Sequence, residues 1–365
     1  MTRAFPLSVA WFVALLAGQT HAQDVTVYGL LDVSVERLDH VGVAGASLTR
    51  MPNQTGSLPS RLGFRGSEDL GGGLKATFNL ESGFGPDGGT LNQGGRIFGR
   101  LAHVGLSGDW GAVTVGRQYT MLFWSQLDAD LLGPNVFGSA SIDSYLPNAR
   151  ADNSVGYRGG FSGVTVGATY SLGRDAVNAG PSPGGTNCAG ESATDARACR
   201  EWSAMLKYDA ASWGVAAAVD ELRGGPGAFG GLVRSGLTDR RSTVTGWFKW
   251  RDVKFGAGVI ARRNEGSAFP SSTLQYVGAA WSLLPRWQLE GQVFRWDVKG
   301  NADRATLVAL RATYFLSKRT AIYATGGTID NDGRAAVSVS NGAPGGGPSA
   351  GRAQSGLAAG MRHLF

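Results

Sequence analysis

The sequence predicts an all-β chain whose antiparallel strands close into a transmembrane barrel, apolar face to lipid and polar face to water. Three observations carry that prediction. Segments that alternate in polarity with a period of two recur about sixteen times, a period that a strand satisfies and a helix does not. The polar parity of these segments repeatedly bears Lys, Glu, Asp, Asn and Arg, too many charges to bury in the packed core of a soluble sandwich. The connections alternate between short Gly-rich turns and long loops, as they do in barrels that cross an outer membrane.

The N-terminus reads differently. Arg3 gives a positive start, residues 5–18 (FPLSVAWFVALLAG) form an apolar stretch, and Thr20 and Ala22 supply the small residues of a cleavage site. That is the layout of a secretory signal peptide over 1–22, too short to span a bilayer, which leaves 23–365 for the barrel.

From Val25 to Glu36, Val25, Val27, Leu31, Val33 and Val35 share one face with Gly29. Thr26, Tyr28, Asp32, Ser34 and Glu36 share the other, with Leu30 the exception. On 60–68, Leu62 and Phe64 point to lipid, so Arg61, Gly63, Arg65 and Ser67 point to the lumen. Leu74, Ala76, Phe78 and Leu80 alternate with Lys75, Thr77, Asn79 and Glu81. The pattern returns in Val253, Phe255, Ala257 and Val259, in Val308, Leu310, Ala312, Tyr314 and Leu316, and in Leu357, Ala359, Met361, His363 and Phe365 at the chain end.

Short turns are expected at 69–72, 108–111, 159–163, 209–212 and 284–286, and long loops at 85–95, 120–149, 173–200, 222–240 and 331–352. Tyr170, Trp213, Trp281, Trp287, Tyr314 and Tyr323, near strand ends, suit interfacial girdles. About sixteen strands enclose an aqueous channel, where about eight would be filled by side chains.

Composition excludes other classes. Gly numbers 57 of 365 residues, well above the usual share of about 7%, yet without a G-X-Y period and with only 13 Pro, so the chain is not collagen-like. Ten Trp, nine Tyr and sixteen Phe argue against disorder. No second long apolar run suggests a helical span. The net charge of +6 is scattered without a basic face, which speaks against nucleic acid. The glycine runs 71–73 and 345–347 lack the Lys and the strand-to-helix context of a phosphate loop.

After cleavage only His40, His103 and His363 remain. None has a visible Ser or Asp partner, so no catalytic residue and no enzyme is expected. Cys188 and Cys199 lie in one loop-like stretch, and in an exported chain a stapling disulfide is the favoured reading. A zinc site would need paired cysteines or nearby His, so neither metal nor cofactor is implied.

The strings SRLGFRGSEDLGGGLKATFNLESGF (60–84), RLAHVGLSGDWGAVTVGRQY (100–119) and YFLSKRTAIYATGG (314–327) resemble the general diffusion porins of Gram-negative bacteria, above all the beta-proteobacterial type. The resemblance runs from VTVYGLLD to the terminal GMRHLF. It implies a 16-stranded antiparallel barrel with an inward-folded third loop, passive diffusion of small hydrophilic solutes and ions, and a homotrimer in the outer membrane beside lipid and lipopolysaccharide. It also gives Phe365 a role as the C-terminal signal read by the outer-membrane assembly machinery. Small residues taken as outward, Gly29, Ala102 and Gly105, fit close contact between barrels.

By the same resemblance Arg61, Arg100 and Arg150 match the basic cluster on the barrel wall. Parity supports Arg61 but leaves Arg100 open, because both faces beside it are fairly apolar. A solvated strand face is the alternative for each. Loop acids Asp128, Asp130 and Asp143 are expected opposite. The family often carries an acidic Pro-Glu-Phe-Gly turn there, whereas this chain reads GPNVFG at 133–138, with Asn135 and Val136 in place of the acid. A net positive constriction is therefore expected, with graded anion preference, since screening acts over roughly 8 Å at physiological salt. The alternative is a substrate-specific channel for phosphate, organic anions or sugars with saturable sites. Sugars rank low, because the inward parity shows Tyr28 and few other aromatics.

Overall fold

The computed structural model describes residues 24–54, 57–175 and 188–365; the expected signal peptide lies outside them. The strands are β1 (Asp24–Val41), β2 (Ala46–Arg50), β3 (Arg61–Gly71), β4 (Leu74–Gly83), β5 (Leu101–Gly108), β6 (Gly111–Tyr119), β7 (Arg150–Phe161), β8 (Val164–Ser171) and β9 (Glu201–Asp209). They continue as β10 (Trp213–Arg223), β11 (Thr238–Trp250), β12 (Val253–Asn264), β13 (Ser271–Leu284), β14 (Trp287–Val298), β15 (Arg304–Phe315), β16 (Thr320–Asp332) and β17 (Gln354–Leu364).

Every strand pairs antiparallel with its neighbour, and β17 returns to β1 in register from Leu30↔Leu364 to Leu38↔Gly356. The other edge of β1 pairs with β3 along its first half and with β2 near its end. β2 and β3 are thus two pieces of one interrupted stave, and the sheet is a closed barrel of 16 staves. Closure of β17 onto β1 removes the free edge strands that the hydrocarbon of a bilayer would leave unsatisfied.

The barrel is inverted relative to a soluble protein. On β1, Val27 is 56% exposed while Asp32 is 0% exposed, so the apolar parity faces out and the polar parity in. Trp213, Trp281 and Trp287 are exposed near the short turns and Tyr170 near a long loop, as girdles require. Tyr323 differs from the expectation. Its neighbour Ile322 faces out, and the Tyr323 hydroxyl donates to Asp32 Oδ1 at 2.6 Å inside the barrel. Gly105 is likewise inward: it pairs with Thr77, and the adjacent Val104 and Leu106 are the exposed residues.

The C-terminus closes the seam. Gly29 and Phe365 exchange backbone hydrogen bonds of 3.0 and 3.1 Å. The Phe365 ring covers Gly29 so closely that a Cβ there would stand 2.3 Å from Cζ. A bare glycine on one strand covered by an aromatic from the next is a known way to pin register.

The segment between β6 and β7 crosses the interior instead of standing out from it. It contains α1 (Met121–Gln126), α2 (Ser139–Ile142) and a 3-10 turn at Leu146–Asn148. The Gln126 amide donates to Thr243 Oγ1 at 3.0 Å, and the Tyr276 hydroxyl donates to Gln126 Oε1 at 2.8 Å. The Leu132 N–H donates to Gln292 Oε1 at 2.9 Å, and the Phe137 N–H to the Val339 carbonyl at 3.1 Å. Leu122, Leu132 and Phe137 pack with Ile260, Leu274, Phe294, Leu307 and Ile329 in one apolar cluster. The loop therefore buries an apolar strip on the inner wall that simple alternation would assign to water.

Candidate pore constriction

Arg61 opens β3, Arg100 stands just before β5 and Arg150 opens β7, so all three lie near the long-loop ends of alternate staves. The fold joins them in one network. Arg100 Nε donates to Glu81 Oε1 at 2.5 Å, and Arg61 Nε lies 3.7 Å from Glu81 Oε2. Arg100 Nη2 donates to the Tyr119 hydroxyl at 2.8 Å, and Arg150 Nη2 donates to the same oxygen. The Arg150 guanidinium also sits 4.2 Å from the centroid of the Tyr119 ring, which stacks at 3.7 Å on Phe123 of α1. Arg150 Nε and Nη1 are buried and have no hydrogen-bond partner among the described residues.

Three guanidiniums against the single carboxylate of Glu81 give the network a formal charge of +2. Beside it Arg96 and Arg117 are shared between Asp152 and Asp175, two cations against two acids, which ties loop to strand without adding net charge.

The loop acids are held elsewhere. Asp128 lies 2.6 Å from Lys207 Nζ and 3.7 Å from Lys254 Nζ, on β9 and β12. Asp130 is buried within the loop and accepts from Ser139 Oγ at 2.6 Å. Asp143 accepts from Arg241 Nε at 2.8 Å. The loop lies along the wall from β9 to β17, so its carboxylates meet the cations of that wall or the loop's own hydroxyls. None stands unpaired opposite the arginines.

Glu81 was readable as inward from its parity, but its role as the bridge was not. Tyr119 and Phe123 carried no signal, because their importance arises only when the loop folds in.

Burial raises the Asp130 carboxyl to about 6, against the opposing hydrogen bonds from Ser139 and Gln292. A folded-state value above the unfolded one means that the native state holds the proton longer. The contribution of this group to stability is then fully present below about pH 4 and is lost as pH rises through about 6. Asp130→Asn is expected to raise stability at pH 7.5 on the order of 2 kcal/mol and to leave it little changed at pH 4. Unfolding midpoints of the solubilised barrel at both pH values check this; equal effects at both would contradict it.

Cys188 and Cys199 are joined in the loop between β8 and β9, with Cα atoms 5.3 Å apart; residues 176–187 of that loop lie outside the described residues.

A closed lipid-facing barrel with a charged lumen, crossed by an inward loop, defines a transmembrane channel. The chain belongs to the Gram-negative porin family, whose model matches residues 8–334, and it is an outer-membrane protein. It is 29% identical over 370 residues to outer membrane porin protein 32 of Delftia acidovorans, covering 98% of this chain and 99% of that one. An outer membrane porin protein of Bordetella pertussis is 29% identical over 378 residues, covering 89% of this chain and 94% of the relative. Among solved structures, an anion-selective porin from Comamonas acidovorans superposes with a TM-score of 0.76 over 94% of this chain and all of the other, at 23% identity. A trimer form of OmpT from Vibrio cholerae gives 0.69 over 94% of this chain, at 16% identity.

Proposed function

We propose that the chain is a passive, anion-preferring diffusion channel for small hydrophilic solutes and ions, and that it catalyses no reaction. The observation that carries this reading is the charge balance of the network of Arg61, Glu81, Arg100, Tyr119 and Arg150. Its excess of guanidinium stands in a lumen whose loop acids are paired or buried. A fixed positive charge between low-dielectric walls raises the local anion concentration and lowers that of cations. The anion-selective porin from Comamonas acidovorans is consistent with this sign.

Residues 1–22 act as an export signal in this reading, and the barrel assembles as a homotrimer among outer-membrane lipid and lipopolysaccharide. Phe365 serves both the seam and the outer-membrane assembly machinery. The test is the reversal potential in a planar bilayer under a tenfold KCl gradient. Chloride preference with large stepwise conductance is expected. Cation preference would refute the assigned sign, and absence of conductance would refute the channel.

A further inference from the structure

We propose a second anion site inside the barrel, on the short-turn side of the arginine network, that takes a single-ring aromatic carboxylate. It deepens the anion-channel reading and rests on it. α1 of the inward loop holds Trp124 facing the inner wall of β5 to β7, and a cavity of about 210 Å³ remains between them. The Arg158 guanidinium lies 3.8 Å from the centroid of the Trp124 ring. Arg158 sits toward the short-turn end of β7, paired with Ala112, whereas Arg150 begins that strand. Among the described residues no carboxylate forms an ion pair with Arg158. On the same wall His103 has a buried Nδ1 without a hydrogen-bond partner among the described residues. Leu101 and Met121 add apolar surface.

These features ask for one ligand with two ends. An unpaired guanidinium receives a carboxylate through two parallel hydrogen bonds, and His103 Nδ1 offers a further polar contact. Trp124, Leu101 and Met121 suit a flat apolar ring beside that carboxylate. An apolar cavity of about 150 Å³ is enough for benzene, so the space here accommodates a benzoate-sized solute. Acetate or chloride would gain only the charge. The ring therefore separates this site from general electrostatic attraction to the lumen.

The probe is benzoate, added on the short-turn side of single channels in KCl and compared with acetate at equal concentration. Benzoate is expected to reduce the current saturably and acetate to leave it nearly unchanged. Arg158→Gln and Trp124→Leu should each raise the half-blocking concentration at least tenfold, read against that variant's own benzoate-free current. Only variants that give stepwise openings in KCl are scored, so a barrel that fails to assemble is not mistaken for a lost site. Equal effects of benzoate and acetate, or unchanged block in Arg158→Gln, would overturn the site. Reversal potentials from the same membranes separate the two levels. Chloride preference without benzoate block sinks the aromatic site alone, whereas cation preference sinks the anion-channel reading with it.

Discussion

Replacing Arg61, Arg100 and Arg150 together by alanine is expected to lower the chloride-to-potassium permeability ratio roughly tenfold. The network would pass from three guanidiniums against Glu81 to Glu81 alone, a swing from +2 to −1. A unit charge several ångströms from an ion in water contributes somewhat under about 1 kcal/mol, and salt screens it over about 8 Å. Three such charges, acting with opposite sign on anion and cation, still reach the roughly 1.4 kcal/mol that a tenfold ratio requires. Reversal potentials under a tenfold KCl gradient read the change directly. Glu81→Gln should move the ratio the other way, because it removes the only carboxylate in the network. An unchanged ratio in the triple variant would assign the selectivity to other lumenal charges. Repeating the measurement at 1 M salt provides an internal check, since screening over about 3 Å should shrink the difference between the variants and the parent.

How far the sequence revealed this arrangement depends on the solvent each face meets. Lipid outside and water inside make the outward parity of β1 and β15 legible, and Val27 and Leu310 face out as that parity requires. Arg61 could be aimed inward on the same ground. Arg100 could not, because it lies before β5 in a bend, where strand parity has no meaning. The rule that apolar means lipid fails at Ile260, Leu274, Phe294, Leu307 and Ile329. These residues face inward against a loop that no local pattern announces. Tyr323 fails for a related reason: a tyrosine near a strand end suits a girdle and a lumenal hydrogen bond equally, and only Asp32 on the neighbouring wall decides. The loop acids were readable as loop residues, but their partners Lys207, Lys254 and Arg241 lie far along the chain on strands the loop reaches only by crossing the barrel.

Phe137→Ala is expected to release the tip of the inward loop, enlarge single-channel conductance and weaken ion selectivity. Phe137 is 1% exposed and belongs to the apolar cluster that fastens the loop to the wall. Its ring fits a slot whose floor is glycine: a Cβ on Gly327 would stand 3.2 Å from Phe137 Cδ1, and one on Gly356 3.0 Å from Cε1. Its backbone adopts φ of +57°, a left-handed conformation that side chains other than glycine adopt at a cost. Anchoring by the ring and by the N–H to Val339 offsets that cost. Truncating a buried phenylalanine removes about 3–5 kcal/mol of packing, which is large against the few hydrogen bonds holding this stretch. The loop tip should then sample positions away from the wall on the timescale of current recordings. Larger and noisier openings with a lower chloride preference would follow, because charge biases a wide passage less than a narrow one. Gly356→Val fills the slot from the other side and should give the same phenotype while leaving Phe137 intact. Parent-like conductance and noise in both variants would show that the loop is fixed by its polar contacts to Thr243, Tyr276 and Gln292 rather than by this aromatic anchor.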